Sequence, residues 1–231
     1  MRFDQWIEPA DIFLIGMPVY FGKIPHFLTE AFKGNPINAR GKSAIAVVVY
    51  GNKGSGIALK QLVSLLNASN FQVIGAAAFI GEHSLSSVFP VALGRPDEHD
   101  LSLAREFGAH ILNTQGKLQS LQEIDIPGKR DTLLRMTPPM PPKPQLHLER
   151  CIDCGICVQS CPMGIIDIET KRYKNRAAEK LCLGCMRCVK NCPQGARLAY
   201  LSPPLKYLTG KLFLDAAVTH RNEPFIITKE I

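Results

Sequence analysis

The sequence predicts an α/β protein in two parts, a parallel sheet covered by helices followed by a small α+β module. Three observations carry this expectation. Apolar strand-like runs alternate with helix-like stretches through the first half. All eight cysteines fall between Cys151 and Cys192. A proline-rich segment separates the two regions.

Taken in order, Asp11–Gly16 (DIFLIG) is the first apolar run, closed by a turn around Pro18 and Gly22. Ser43–Tyr50 (SAIAVVVY) is the second, β-branched and ending at Gly51-Asn52-Lys53-Gly54. Phe71–Ile80 (FQVIGAAAFI) is the third and ends at Gly81. Helix-like stretches are expected at Pro25–Phe32, Ile57–Ser69 and Asp100–Thr114. Within the second, apolar residues recur at Ile57, Leu59, Leu62, Val63, Leu65 and Leu66, which approximates one helical face. Near-continuous apolar strands separated by helices imply a parallel sheet buried on both faces, so residues 1–136 are expected to form one α/β domain. Residues 137–145 are expected to be a linker, because five prolines in the eight residues Thr137–Pro144 can continue neither a helix nor a central strand. The cysteine module is expected over residues 146–201 and a tail over 202–231. That tail holds Pro203-Pro204 and an apolar-rich stretch, Tyr207–Val218, and is expected to pack back on one of the domains.

The 231 residues are 46% hydrophobic and 20% charged, an ordinary globular composition. The opening MRFDQWIEPADIF has no basic region leading into an apolar one, so no signal peptide is expected. No apolar stretch reaches the length of a membrane span. Clustered cysteines in such a chain point to metal rather than disulfides, and to the cytoplasm. The formal net charge of +7 invites an anionic partner, but that count treats ligand cysteines as neutral. Two four-thiolate clusters would remove about four charges and leave about +3. The basic balance is then mostly a counter-charge for cofactors, and nucleic acid is not expected as a partner.

Cys151-x2-Cys154-x2-Cys157-x3-Cys161-Pro162 recurs 31 residues later as Cys182-x2-Cys185-x2-Cys188-x3-Cys192-Pro193, which uses every cysteine. Three thiolates two residues apart can wrap three irons of one cubane, and a fourth before proline turns to the other cluster. Cys151, Cys154, Cys157 and Cys192 are therefore assigned to one [4Fe–4S] cluster, and Cys182, Cys185, Cys188 and Cys161 to the other. Gly155 and Gly184 let backbone N–H groups approach the cluster sulfur. Zinc modules instead space Cys-x2-Cys pairs by longer loops, not four cysteines within eleven residues. With four cysteines each, the clusters are expected to relay electrons rather than to bind substrate. The lysines and arginines from Arg150 to Arg197, with Lys171 among them, read as a solvated basic face, or more sharply as a docking face for an acidic redox partner.

Residues 146–201 resemble bacterial two-cluster ferredoxins, a βαβ-duplicated fold. In the first half, GMPVYFGKIP, VVVYGNKGSGIAL, VIGAAAFIGEHS and GRPDEHDLSLAREFG resemble the flavodoxin-like domain of flavodoxin–ferredoxin fusion proteins, the EFR1-type ferredoxin family. The resemblance implies a partial flavodoxin-like parallel sheet that would bind FMN at the carboxyl ends of its strands. It places Pro18, Val19, Tyr20 and Gly22 on one side of the flavin ring and Tyr50, Gly51 and Asn52 on the other. Tyr20 and Tyr50 are the expected ring contacts. His83 is expected rather to cap the helix that follows it.

Flavodoxin-like domains open with a strand and a Ser/Thr/Gly-rich loop that cradles the FMN phosphate. Here the Asp11 strand follows Met1 within ten residues, so that unit is expected to be missing. The Asp11–Gly16 strand would then be an apolar open edge. A missing start is preferred over a partner completing the sheet or a fragment. Gly51–Gly56 is the one substitute cradle the sequence offers, and the chain alone is expected to bind FMN weakly or not at all.

The expected function is iron–sulfur electron transfer, coupling a flavodoxin-like FMN site to two [4Fe–4S] clusters and exchanging electrons with redox partner proteins. The alternatives are a ferredoxin-type carrier with a flavin-free docking domain, and a flavin or quinone reductase. Direct NAD(P)H use is disfavoured because no G-x-G-x-x-G follows a strand. A carrier is preferred to an enzyme.

Overall fold

The computed structural model describes residues 10–34, 37–128, 143–211 and 221–230. The first nine residues, the prolines from Pro138 to Pro142 and the stretch 212–218 of the expected apolar tail lie outside the described residues. The chain forms two units. One combines Met1–Glu82, Gly94–Pro138 and His220–Ile231; the other combines His83–Leu93 with Pro139–Thr219.

In the first unit the strands are β1 (Ile12–Pro18), β2 (Ser43–Tyr50) and β3 (Gln72–Ile80), paired in parallel in that order. Helices α1 (His26–Gly34), α2 (Ala58–Ala68) and α3 (Glu98–Thr114) follow them. All six elements stand within a few residues of the positions the sequence predicts. Leu59, Leu62, Val63 and Leu66 of α2 are buried, the helical face read from the apolar spacing. A second apolar layer joins Ile45, Ile74 and Ala77 to Phe107 and Ile111 of α3 and to Leu118. Gly75 makes this layer possible: a Cβ there would lie 2.5 Å from Ile111 Cδ1, so glycine lets α3 approach the sheet.

The fourth strand of the sheet comes from the end of the chain. Phe225–Ile227 (β6) pairs antiparallel with β3, placing Ala76, Ala77 and Ala78 opposite Ile227, Ile226 and Phe225. The tail thus does not merely pack on a domain; it completes one edge of the sheet. At the other edge of the described sheet stands β1, with Leu14 70% exposed.

In the second unit the cysteine repeat builds two short helices, α4 (Ile156–Gln159) and α6 (Arg187–Lys190), with α5 (Arg176–Lys180) between them. A two-stranded antiparallel ribbon frames them, β4 (Pro144–Leu146) against β5 (Arg197–Ala199). Pro203–Thr209 forms α7. Residues His83–Leu93, which in sequence separate β3 from α3, fold here as a strap. Leu85, Phe89 and Val91 pack with Met186, Val189 and Leu201 in one buried cluster. Lys190 Nζ donates to the His83 carbonyl at 3.0 Å. His83 Nδ1 in turn accepts the Leu85 N–H at 3.0 Å, inside a turn rather than at a helix start.

Candidate metal centres

Each cysteine helix begins on a left-handed residue. In the first repeat this is Gly155, with φ +72°; in the second it is Met186, with φ +57°. The left-handed turn reverses the chain after the second cysteine of each motif, so that three cysteines bend round a common space. The short helices end at Gln159 and Lys190, two residues before Cys161 and Cys192, and the proline after each of these cysteines cannot continue a hydrogen-bonded turn.

The result is two cavities. Cys151, Cys154, Cys157 and Cys192 line the first, of about 350 Å³. Cys161, Cys182, Cys185 and Cys188 line the second, of about 370 Å³. Their near-equal size follows from the duplication. All eight thiols are free of disulfides. Among the described residues, no three Cys, His, Asp or Glu side chains converge on a point that would suit a single ion. Four thiols spread round the wall of a cavity suit a larger group, and a cubane is such a group.

Two further observations fit an anionic occupant. The first cavity includes Lys171 and Arg197 in its wall, and both side chains are buried rather than part of a solvated face as the sequence suggested. Arg197 Nε is fully buried and has no hydrogen-bond partner among the described residues. Hydrogen bonds also reach the sulfurs: Tyr173 Oη lies 3.5 Å from Cys182 Sγ, and the Ala196 N–H donates to Cys192 Sγ at 3.2 Å. Burial pushes the free Cys188 thiol up to about 12, so this cavity resists holding bare thiolates. Burial and the Cys182 contact also raise Tyr173, which stays a phenol and a donor.

At the carboxyl ends of the strands, Val19 N–H donates to Val49 O at 2.9 Å and Gly81 N–H to Tyr50 O at 3.0 Å. These bonds bring together the loops expected at a flavin. Val19, Tyr20, Gly22 and Gly51 are half-buried there, and Pro18 is exposed. Tyr50 and Asn52 are engaged otherwise. Tyr50 is buried, which raises its pKa, and its charged neighbours are Arg95, Glu223 and Asp100. Asn52 Oδ1 accepts the Asn222 N–H at 3.0 Å, and its carbonyl accepts Asn222 Nδ2 at 2.6 Å. The C-terminal segment thus meets this loop at Asn52.

Gly51–Gly56 does not form a phosphate cradle. A Cβ on Gly56 would meet Gly22 O at 2.4 Å, and one on Gly128 would meet Gly56 O at 2.5 Å, so glycine serves close backbone crossings here. The Ile57 and Ala58 N–H groups, which would face a phosphate, donate instead to Gly22 O and Ser55 O. The Gly51–Gly56 loop thus does not fit a flavin phosphate. Buried Arg95 makes a two-pronged ion pair with Asp100 just before α3, and Arg221 pairs with Asp97 at 2.8 Å. These pairs tie the loop before α3 and the C-terminal segment down rather than leaving a site open.

Comparison with family models gives two matches. Residues 150–197 match the 4Fe-4S dicluster domain, and residues 2–85 match the NADPH-dependent FMN reductase family. No curated protein matches the chain. The first match accounts for the cysteine cavities and makes [4Fe–4S] clusters their cofactors. The second makes the sheet unit flavodoxin-like, with FMN as a candidate cofactor. Together they describe a flavodoxin–ferredoxin fusion, an iron–sulfur electron-transfer protein. No helix among the described residues is long and apolar enough to cross a membrane.

Proposed function

We propose that this fusion chain is a one-electron relay in which Cys151, Cys154, Cys157 and Cys192 hold one cluster and Cys161, Cys182, Cys185 and Cys188 hold the other. The observation that carries the assignment is the four-by-four division of the cysteines between two cavities, each motif sending its last cysteine to the other's wall. A [4Fe–4S] cluster with four cysteine ligands supplies reversible one-electron chemistry and leaves no coordination position for a substrate. The chain's own residues do the rest. The left-handed turns at Gly155 and Met186 aim the thiols inward. Tyr173 Oη and the Ala196 N–H reach Cys182 and Cys192 sulfur and so tune the electron density there. The shared ligation keeps the two groups adjacent, which favours transfer between them.

Electrons exchange with redox partner proteins, and eight clustered cysteines committed to metal rather than to disulfides favour a cytoplasmic setting. The flavodoxin-like unit is the input or docking side. One-electron transfer within the cysteine module is carried by the cysteine-held groups. Anaerobic reconstitution of the full chain with iron and sulfide tests the assignment. About eight irons per chain are expected. Cys192→Ser should cost the cluster of the first motif and leave Cys182, Cys185 and Cys188 loaded. Tight binding of two zinc ions in place of iron and sulfide would sink the assignment.

A further inference from the structure

The two cavities come from one repeated motif, yet their walls carry different charge. Ile166 and Arg197 stand at equivalent places, each five residues after the last cysteine of its motif. Both are buried, Ile166 at 3% and Arg197 at 2% exposure. Isoleucine there is a simple core residue. A guanidinium carries a fixed charge and five N–H donors, and burying it is strongly unfavourable unless anions and acceptors complete it.

The protein alone completes it only in part. One terminal nitrogen of Arg197 donates to the Lys171 carbonyl. The guanidinium lies 5.9 Å from the centre of the Tyr173 ring. Nε has no partner, and no carboxylate pairs with Arg197 among the described residues. The other cation in the first cavity's wall, Lys171, is already paired with Asp153 at 2.5 Å. Arg197 is thus the uncompensated positive charge of that wall. The second cavity has no charged side chain in its described lining, which includes Met163, Ile165, Leu183 and Met186. On that side the strap adds further apolar cover around Met186 and Cys188.

We propose that Arg197 sets the redox potential of the cluster in the first cavity and makes it the electron sink of an unequal pair. This rests on the ligand assignment above. Each cluster gains one electron on reduction and becomes more negative by one charge. Beside Arg197 that added charge meets a fixed cation, which favours the reduced form and raises the potential. The second cavity has no charged side chain in its described lining, so reduction there comes later. Arg197 also acts on Cys188 of the second cavity, so the second cluster feels the same cation; the larger effect is assigned to the first cluster because Arg197 stands in the wall of the first cavity and not of the second.

The test is an anaerobic titration of the reconstituted full chain with dithionite, the clusters followed by electron paramagnetic resonance. Two separate one-electron waves are expected. In Arg197→Met, which removes the charge and keeps an unbranched apolar side chain, the first wave should move down. At a fixed potential its reduced-to-oxidised ratio should fall at least about tenfold, equivalent to 59 mV for one electron. The second wave should follow by less, so the gap narrows. Arg197→Lys, which keeps the charge, should restore most of the gap; a role confined to packing would not be rescued this way. If Arg197→Met fails to load, Arg197→Ile, which copies the first repeat, is titrated instead with the same expectation. Overlapping waves in the unaltered protein, or an unmoved first wave in the neutral variants, overturn the proposal. A chain that takes up no iron sinks the ligand assignment and this inference with it. Full iron with equal potentials sinks this inference alone.

Discussion

Replacing Met186 with glycine tests how the strap is held, because two opposing effects meet at this residue. Met186 takes a left-handed conformation that glycine adopts freely in the first repeat, and a non-glycine residue there costs about 1–2 kcal/mol. Against this, its side chain is fully buried among Leu85, Phe89 and Val91. Truncating a buried methionine typically costs about 2–5 kcal/mol. The difference leaves the strap contact weaker by about 2 kcal/mol, a roughly thirtyfold rise in local opening. Amide hydrogen exchange on the cluster-loaded protein reads this directly. The Val88 and Phe89 N–H groups bond to Leu85 O and the Val91 N–H to Phe89 O, all inside the strap, and these should lose protection by about that factor. Amides of β2 and β3 should stay unchanged. Unchanged protection in the strap would refute the burial argument, and an equal loss in the sheet would mean that the change is global.

Two further outcomes are expected. The full chain mixed with FMN should give no stoichiometric complex, because Gly56 and the start of α2 are committed to internal contacts; a yellow one-to-one complex of micromolar affinity would contradict this. The strap should also loosen in acid. Burial first, and Lys190 second, pull the His83 imidazole down to about 4, below its unfolded value of about 6.5. Between those values the opened strap binds the proton that the closed strap refuses. The stabilisation is therefore full above about pH 6.5 and is lost as pH falls toward 4. Protection factors for the strap amides at pH 7.5 and 5 check this, and equal values would count against it.

The elements that were legible in the sequence are those fixed by near neighbours. Strands β1 to β3 announce themselves as apolar runs, α2 by its spacing, and the cysteine cavities because ligand spacing is local. What stayed hidden depends on pairings far apart in the chain. Phe225–Ile227 is too short to show a period, and becomes a strand only because β3 offers it a free side. The strap reads as a loop until Leu85, Phe89 and Val91 find Met186 about a hundred residues later. Asn52 looks like a ligand contact at a strand end, and only the position of Asn222 shows that it is also bonded to the C-terminal segment. Arg197 looks like one more surface cation in a basic run. The signal that could have singled it out is its equivalence to Ile166, an apolar place in the other copy of the motif.

The way the two units share the chain bears on how the protein is made. β3 ends at Ile80 and its partner β6 begins at Phe225, so 144 residues separate them. At about 5–20 residues per second, β3 leaves the ribosome about 7–29 s before its last neighbour exists. During that interval its free side is a pairing surface, and a chaperone or early cofactor loading would have time to act. The same weave defeats simple dissection. A protease cut in the proline-rich segment does not yield two finished halves, because the cysteine unit needs residues 83–93 from before the cut and the sheet needs residues 225–227 from after it. A nicked protein should stay together on a sizing column, whereas a fragment expressed from Lys143 onward should lose its second cluster to air sooner than the whole chain does.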